Sequence, residues 1–530
     1  MNNQQMIIDG QTALGIEFGS TRIKAVLIDR EGKVLAIGIH DWENTLENGI
    51  WTYPLTEIHE GLQSCYRSLK QAVKEKYDVI LTNTGAIGIS AMMHGYMAFD
   101  SHGNLLAPFQ TWRNSNTQQA ADALTELFDF NIPLRWTIAH LYQCVLEDEE
   151  HLHQVDFVTT LDSYIHFMLT GEKVTGIGDA AGIFPIDSEA LDYDQTMVDK
   201  FDALISDKGY SWKLRDVLPK VLCAGQCAGT LTQEGARFLD PEGDLSAGIL
   251  LCPPEGDAGT GMVATNSVAP RTGNVSAGTS TFAMLVLENR LSRLYREIDM
   301  VTTPSGFPVA MSHANNGTSD LNAWVGLFRE FAELMGMKTD MGELFGRLYT
   351  HSLQGDPDCG GILSYGYLSG EGITHLPEGR PLLVRTPEAV FNLANLMRSH
   401  LFTSLGAVKM GMDILLKQEQ VKVERITGHG GFFKTPGVGQ RYLSAAVGAP
   451  VTVMANAGEG GPWGMALLAL YMIVKEENET LESFLENKIF AGAEGSTLAA
   501  TEEEMQGFEK FMESYKAGLG IEKAAIEALR

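Results

Sequence analysis

The sequence predicts an α/β protein of two large domains laid out on one repeated plan. Three observations point there. The 530 residues suit two hydrophobic cores better than one, since a single core stops growing at roughly 250–300 residues. Two stretches, residues 14–28 and 272–287, each read as strand, glycine turn and strand, with helical periodicity further on. Between them Pro253, Pro254 and Gly256 form the kind of chain-breaking stretch found at domain edges. The expected domains are therefore residues 1–255 and 256–530.

In residues 14–28 a short apolar run meets Gly19 and resumes as an alternating β-branched strand, which gives a hairpin. Leu55, Ile58, Leu62, Tyr66, Leu69 and Val73 recur at helical spacing, so residues 55–77 form a helix and 86–90 a strand after it. The order then returns, with a hairpin at 272–287, a helix over 389–416 and a strand at 425–427. Residues 465–474 are the longest apolar run, a buried helix too short to span a bilayer. Glu476, Glu477, Glu479, Glu482 and Glu486 then read as a solvated face, and residues 502–504 open an amphipathic helix. The first ten residues show no basic and apolar leader, which predicts a cytoplasmic chain that crosses no membrane.

Hydrophobic residues make up 44% and charged residues 20%, so the whole chain should bury cores. The net charge of −28 repels nucleic acid and anionic lipid, and excludes them as partners. Any affinity for phosphate must then be local, in glycine-rich backbone and a metal ion. Six scattered cysteines (Cys65, Cys144, Cys223, Cys227, Cys252, Cys359) suggest reduced thiols. Cys223 and Cys227 lack a second pair at ligand spacing, so zinc is not expected there.

Phosphate is bound by backbone N–H groups converging in a tight turn, where glycine permits close approach and hydroxyls add donors. Three segments fit: Gly19-Ser20-Thr21 with Glu17 before it and Lys24 after it, Gly278-Thr279-Ser280, and Gly428-His429-Gly430-Gly431. Each alone is more often only a turn. Their order is the layout of the superfamily that holds actin, Hsp70 and the sugar kinases. A fourth segment, Gly256-Asp257-Ala258-Gly259-Thr260-Gly261, offers a carboxylate that could take a proton from an attacking hydroxyl, or simply cap a helix beginning at Ala258.

At these residues the chain resembles the FGGY carbohydrate kinases from about Leu14 to about Tyr471. Residues 87–95, ending Ser90-Ala91-Met92-Met93-His94-Gly95, are similar to that family's Ser-Gly-Gln-Met-His-Gly. Leu169-Thr170-Gly171, Asp179-Ala180-Ala181-Gly182, Gly370-Glu371 and Gly464-Met465-Ala466, within residues 459–469, match further family segments. The resemblance implies two actin-like (ribonuclease H-like) domains around a catalytic cleft, with the sugar on the first and Mg-ATP mostly on the second. It implies Asp257 as catalytic base and substrate contact, with Met93, His94, Trp112 and Asn114 at the sugar. Gly19, Ser20, Thr21, Lys24, Gly278, Thr279, Ser280, Gly430 and Gly431 would meet ATP, and Glu17 would serve Mg2+ through water. The implied reaction is phosphorylation of a ketopentose, D-xylulose or L-ribulose, to its 5-phosphate. Glycerol, gluconate and a non-catalytic sensor are the alternatives, and a homodimer is the candidate assembly.

The chain also departs from the family pattern. Glu17 replaces an aspartate, Met92 a glutamine, and Trp112-Arg113-Asn114-Ser115-Asn116-Thr117 stands for Trp-x-Asp-x-Arg-Thr. Asn114 and Asn116 can offer only neutral hydrogen bonds where the family has a charged pair, so the sugar pocket should tolerate more than one pentulose.

Overall fold

The computed structural model describes residues 2–454 and 460–529. The elements used below begin with β1 (Ala13–Phe18), β2 (Arg22–Ile28), β3 (Val34–Asp41), β4 (Ile50–Thr52), α1 (Leu55–Tyr77) and β5 (Ala86–Ala91). Then come α2 (Thr137–Leu146), α3 (Leu161–Thr170), α4 (Ile177–Ile183), β6 (Leu250–Leu251), β7 (Glu255–Gly256) and α5 (Asp257–Ala264). Next are β8 (Thr272–Ala277), β9 (Thr281–Val286), β10 (Pro308–Ala314), α6 (Ser319–Leu334), α7 (Leu393–Asp413) and β11 (Arg425–His429). The last are β12 (Val451–Met454), α8 (Gly460–Val474), β13 (Gly495–Leu498) and α9 (Glu502–Ala528).

Two compact units result, one of residues 2–269, 299–309 and 460–492, the other of 270–298, 310–454 and 493–529. The junction expected at residues 253–256 therefore lies inside the first unit. The reason is local: the Pro254 carbonyl accepts from Gly176 N–H at 2.7 Å, and β7 then joins the sheet beside β5. Proline and glycine here shape an entry into the sheet rather than a hinge, and Asp257 belongs to the first unit.

The first unit's sheet runs β6-β5-β1-β2-β3, with β7 also against β5. The predicted hairpin is β1 antiparallel to β2, with Glu17 opposite Lys24. β1, β6 and β7 all lie parallel to β5. α1 packs on β2 and β3, while α8 packs on β1 and β5 and crosses α5. Two glycines make this closeness attainable: a Cβ on Gly15 would sit 2.2 Å from the Pro462 carbonyl oxygen, and one on Gly464 2.1 Å from that of Thr260. The Gly464-Met465-Ala466 segment thus has a packing role, and Glu459 before it lies outside the described residues.

In the second unit the strands run β10-β9-β8-β11-β12-β13. β8 and β9 form the second predicted hairpin, and β11 lies parallel to β8 with His429 opposite Ser276. α7 starts at Leu393 rather than 389, because the Asn392 side chain accepts from Asn395 N–H and caps it there. α9 opens on a capping box between Thr501 and Glu504. In the acidic stretch after Met472, Glu476, Glu477 and Glu486 are exposed and Glu479 and Glu482 half-buried; Lys488 binds Glu476 and Glu479, Ser305 donates to Glu482, and Asn266 to Glu486. Among the described residues no helix is long and apolar enough to cross a membrane.

Candidate active site

Register builds the first half of the site. In the parallel trio β1, β5 and β7, Glu17 pairs with Ser90, which pairs with Glu255, and Phe18, Ala91 and Gly256 form the next row. The residues just past these strands therefore emerge on one edge: Gly19 after β1, Met92 and Met93 after β5, Asp257 after β7. The carboxyl ends of parallel strands are where open α/β sheets hold ligands.

Asp257 is the first residue of α5, and Gly256 occupies the cap position in extended conformation. The simple capping role is thus not the one it takes. Its Oδ1 instead accepts from Met93 N–H at 3.1 Å, tying the carboxylate to the Met93-His94-Gly95 loop. Asp257 is exposed by its surface area, yet protein atoms crowd around its carboxylate. That burial raises its pKa, while the N–H groups of Met93 and Ala258 and the nearby Arg135 cation pull it back.

Glu17 is pushed up to about 8, first by burial and then by the charge of Asp257; Lys24 and the Thr260 hydroxyl oppose this. Its Oε2 is buried and has no hydrogen-bond partner among the described residues. A Cβ on Gly461 would fall 1.6 Å from that oxygen, so only glycine fits beside it. The turn after β1 is held through its carbonyls: Trp42 Nε1 donates to Gly19 at 2.7 Å, the Tyr53 hydroxyl to Ser20 at 2.6 Å and Trp42 N–H to Thr21 at 3.2 Å.

The Met93-His94-Gly95 loop turns through two positive φ angles, 72° at His94 and 100° at Gly95. Arg135 O accepts from Gly95 N–H, and Thr137 Oγ1 donates to Gly95 O. His94 stacks on Trp136 and presses on Gly182, where a Cβ would lie 2.6 Å from its Nδ1. Burial, then Arg135, hold its imidazole well below the usual range, so it is neutral. The Met93 side chain packs between Gly256 and Gly182, leaving its backbone as the group that meets Asp257. Arg135, paired with Asp299, is a cation near both Asp257 and His94 that the sequence reading gave no role of its own.

The remaining sugar-site candidates divide. Trp112 is 40% exposed. Asn114 is not free to donate to a sugar: its Nδ2 donates to the carbonyls of Trp51 (2.8 Å) and Thr111 (3.1 Å), and its Oδ1 accepts from Trp51 N–H at 2.9 Å. It braces β4. Asn116 is exposed, Met92 lies in the core, and Arg113 stacks on Trp51 at 3.6 Å. Leu169-Thr170-Gly171 ends α3 with Gly171 at φ 78°, which is a structural role. Asp179 is buried and accepts from Thr160 Oγ1 at 2.7 Å, with Asp162 and Glu255 close enough to raise its pKa further.

In the second unit the parallel pairing of β8 with β11 sets Gly278-Thr279-Ser280 beside Gly430-Gly431. Gly430 has φ 98° and lies against Ala277, where a Cβ would come 2.5 Å from the carbonyl oxygen. Gly278 and Gly431 differ from it: neither has positive φ, and a Cβ on either would meet nothing within 4 Å among the described residues. Their missing side chains leave open space in front of the backbone, as a phosphate or nucleoside needs.

The turn's carbonyls are again occupied. Thr318 donates to Gly278 O through both N–H and Oγ1 at 2.8 Å, and Gly317 N–H to Thr279 O at 2.9 Å, just where α6 begins. Buried Glu371 holds this segment, accepting from Asn316 N–H and Nδ2 at 3.2 Å each, which gives Gly370-Glu371 its purpose. Sequence reasoning missed Asn316-Gly317-Thr318, whose only signal was a Gly flanked by Asn and Thr.

Two family models match the chain, the N-terminal domain of the FGGY family of carbohydrate kinases over residues 12–240 and its C-terminal domain over 273–473. A xylulose kinase from Escherichia coli (strain K12) is 23% identical over 287 residues, 53% of this chain and 55% of that protein. The match thus spans about half of that relative's length. The ligand-bound xylulose kinase structure from Lactobacillus acidophilus superposes with a TM-score of 0.78 at 17% identity, covering 98% of this chain and 99% of that one. The gluconate kinase from the same organism gives 0.76 at 18% identity, covering 98% of each chain. Such likeness carries the two-domain fold and does not separate the substrates.

Proposed function

The chain belongs to the FGGY family of carbohydrate kinases, and on that premise we propose that it transfers the terminal phosphoryl group of ATP to a ketopentose, D-xylulose or L-ribulose, forming the 5-phosphate. The observation that carries this reading is the Asp257 carboxylate, open to solvent and fixed by Met93 N–H beside neutral His94. A sugar hydroxyl meeting Asp257 gives up its proton to the carboxylate as its oxygen bonds to phosphorus and the bond to ADP breaks. A carboxylate with a raised pKa is better matched to that task than an ordinary surface one.

Under this reading the first unit takes the sugar through His94, Trp112 and the Met93 backbone. The second takes the nucleotide, with its phosphates at Gly278-Thr279-Ser280 and its nucleoside at Gly430-Gly431. Gly19, Ser20, Thr21 and Lys24 are the first unit's phosphate contacts. The Oε2 of Glu17, without a partner among the described residues and with Asp257 near it, suits a hard cation held through water, and Mg2+ there would offset phosphate charge. A cytoplasmic location, with its supply of ATP, fits this reading.

An ADP-release assay across D-xylulose, L-xylulose, L-ribulose, D-ribulose, gluconate and glycerol tests the proposal. The expected result is the highest kcat/KM on D-xylulose or L-ribulose. Turnover confined to gluconate or glycerol would overturn the substrate class, and no ADP release with any of them would favour a sensor.

A further inference from the structure

Away from these groups the first unit gathers a second set of reactive side chains. Cys144, Glu149 and His151 bring a thiol sulfur, a carboxylate oxygen and an imidazole nitrogen within 4.8 Å of one another, the one such gathering among the described residues. The chain is folded for it. Asp148 turns back at φ 52°, Glu149 N–H donates to the Cys144 carbonyl at 3.1 Å, and Trp212 Nε1 donates to Leu152 O at 2.7 Å to pin the segment after His151.

The donor set matches a borderline-soft cation. His151 Nδ1 lies 3.0 Å from a Glu149 oxygen, and its Nε2 lies 2.9 Å from the Tyr96 hydroxyl. If Nε2–H donates to Tyr96, Nδ1 presents its lone pair toward Glu149. This is how a metal-ligating histidine is oriented, with its outer nitrogen anchored and its inner one turned toward the other ligands. Glu149 pairs here with a histidine rather than with a lysine or arginine. Cys144 is 3% exposed and the His151 side chain 9%, so sulfur and imidazole are shielded, while the Glu149 side chain, 39% exposed, leaves a way in.

We propose that Cys144, Glu149 and His151 bind a divalent transition-metal ion of the zinc class, with water completing a four-coordinate site. Binding converts the Cys144 thiol to a thiolate, and the proton goes to solvent. The ligands follow the order Cys-x4-Glu-x-His, outside the paired spacings by which zinc sites are sought in sequence, and are unrelated to Cys223 and Cys227. Tyr96 lies two residues beyond His94, so the metal would brace the far side of that loop without touching its ligand.

The test uses the full chain, stripped with chelator and titrated with Co2+ or Zn2+ alone. One zinc per chain should remain after desalting, and Co2+ should give a thiolate-to-cobalt charge-transfer band. Cys144→Ser should abolish the band, and His151→Gln should weaken zinc binding by about tenfold or more. Cys227→Ser, at an exposed cysteine, should change neither. His151→Gln keeps the test usable if the buried cysteine variant fails to fold. Absence of the band in the wild-type chain, or zinc retained undiminished in His151→Gln, overturns the proposal.

Discussion

The two glycine-hydroxyl turns, Gly19-Ser20-Thr21 and Gly278-Thr279-Ser280, follow the same kind of strand and enter the same kind of hairpin, yet their surroundings differ. The first is clamped by aromatic donors, Trp42 and Tyr53, and comes after a strand bearing Glu17, whose neighbour is Asp257. The second is clamped by Gly317 and Thr318 at the start of a helix, with open space before Gly278. A repeated backbone device has taken on two characters through the residues that hold its carbonyls. Under the proposed function both turns meet phosphate, the first beside the Glu17 and Asp257 carboxylates and the second with a helix start behind it.

The largest expected effect comes from removing what distinguishes the first turn. Asp257→Asn should keep the fold and ATP binding while kcat in the ADP-release assay falls by roughly two to four orders of magnitude, the usual range for general acid–base catalysis. Near wild-type turnover would remove Asp257 from the chemistry and with it the contrast between the turns.

The second turn is tested by a pair of glycines. Gly278→Val places its Cβ in open space, so the melting temperature should hold while calorimetric ATP affinity drops about tenfold or more, roughly 1.4 kcal/mol. Gly430→Ala should instead lower the melting temperature, losing about 1–3 kcal/mol of stability at its positive φ and its contact with Ala277. Unchanged ATP affinity in Gly278→Val would leave that glycine without a reason.

A subtler difference is electrostatic. Glu17 has a pKa of about 8 against an ordinary 4.5, so between those values the folded state holds a proton that the unfolded chain lacks. Its contribution to stability is complete below about pH 4.5 and is lost as pH rises through about 8, with a slope of at most about 1.4 kcal/mol per unit. In Glu17→Gln the ligand-free protein should show a flatter fall of melting temperature across that window. Superimposable profiles for the two proteins would place Glu17 in a wetter, ordinary setting.

The hairpins, α1 and the strands β5 and β11 can be read from the sequence because alternation, helical spacing and glycine turns are local signals. The domain junction cannot, since Pro253, Pro254 and Gly256 look alike in a hinge and in a strand entry; only the Gly176 to Pro254 hydrogen bond decides. Asp257, His94 and the glycine turns stand out by type and order. Arg135 and Asn316-Gly317-Thr318 do not, because their roles arise from partners far away in sequence, Asp299 for the one and Gly278 and Glu371 for the other. Asn114 misleads for the same reason: an amide beside a sugar motif looks like a sugar ligand until its donors are found on Trp51 and Thr111.

That residue yields the smallest expected effect. Asn114 fixes Trp51 at both its N–H and its carbonyl, Trp51 belongs to β4, and Tyr53 just beyond β4 donates its hydroxyl to Ser20 in the first turn. Asn114→Ala therefore removes a partner from each backbone group of Trp51; the carbonyl keeps Thr111 N–H at 3.2 Å, and the N–H is left in search of one. The unsatisfied N–H should cost about 1–3 kcal/mol. If Asn114 is only a brace, the ratio of kcat/KM between D-xylulose and L-ribulose should not move, while KM for both rises modestly as Ser20 loosens. A direct sugar contact would instead change that ratio, because the two epimers present their hydroxyls differently to one amide. Measuring both pentuloses with one variant thus separates support of the first turn from recognition of the sugar, and a shifted ratio would return Asn114 to the pocket.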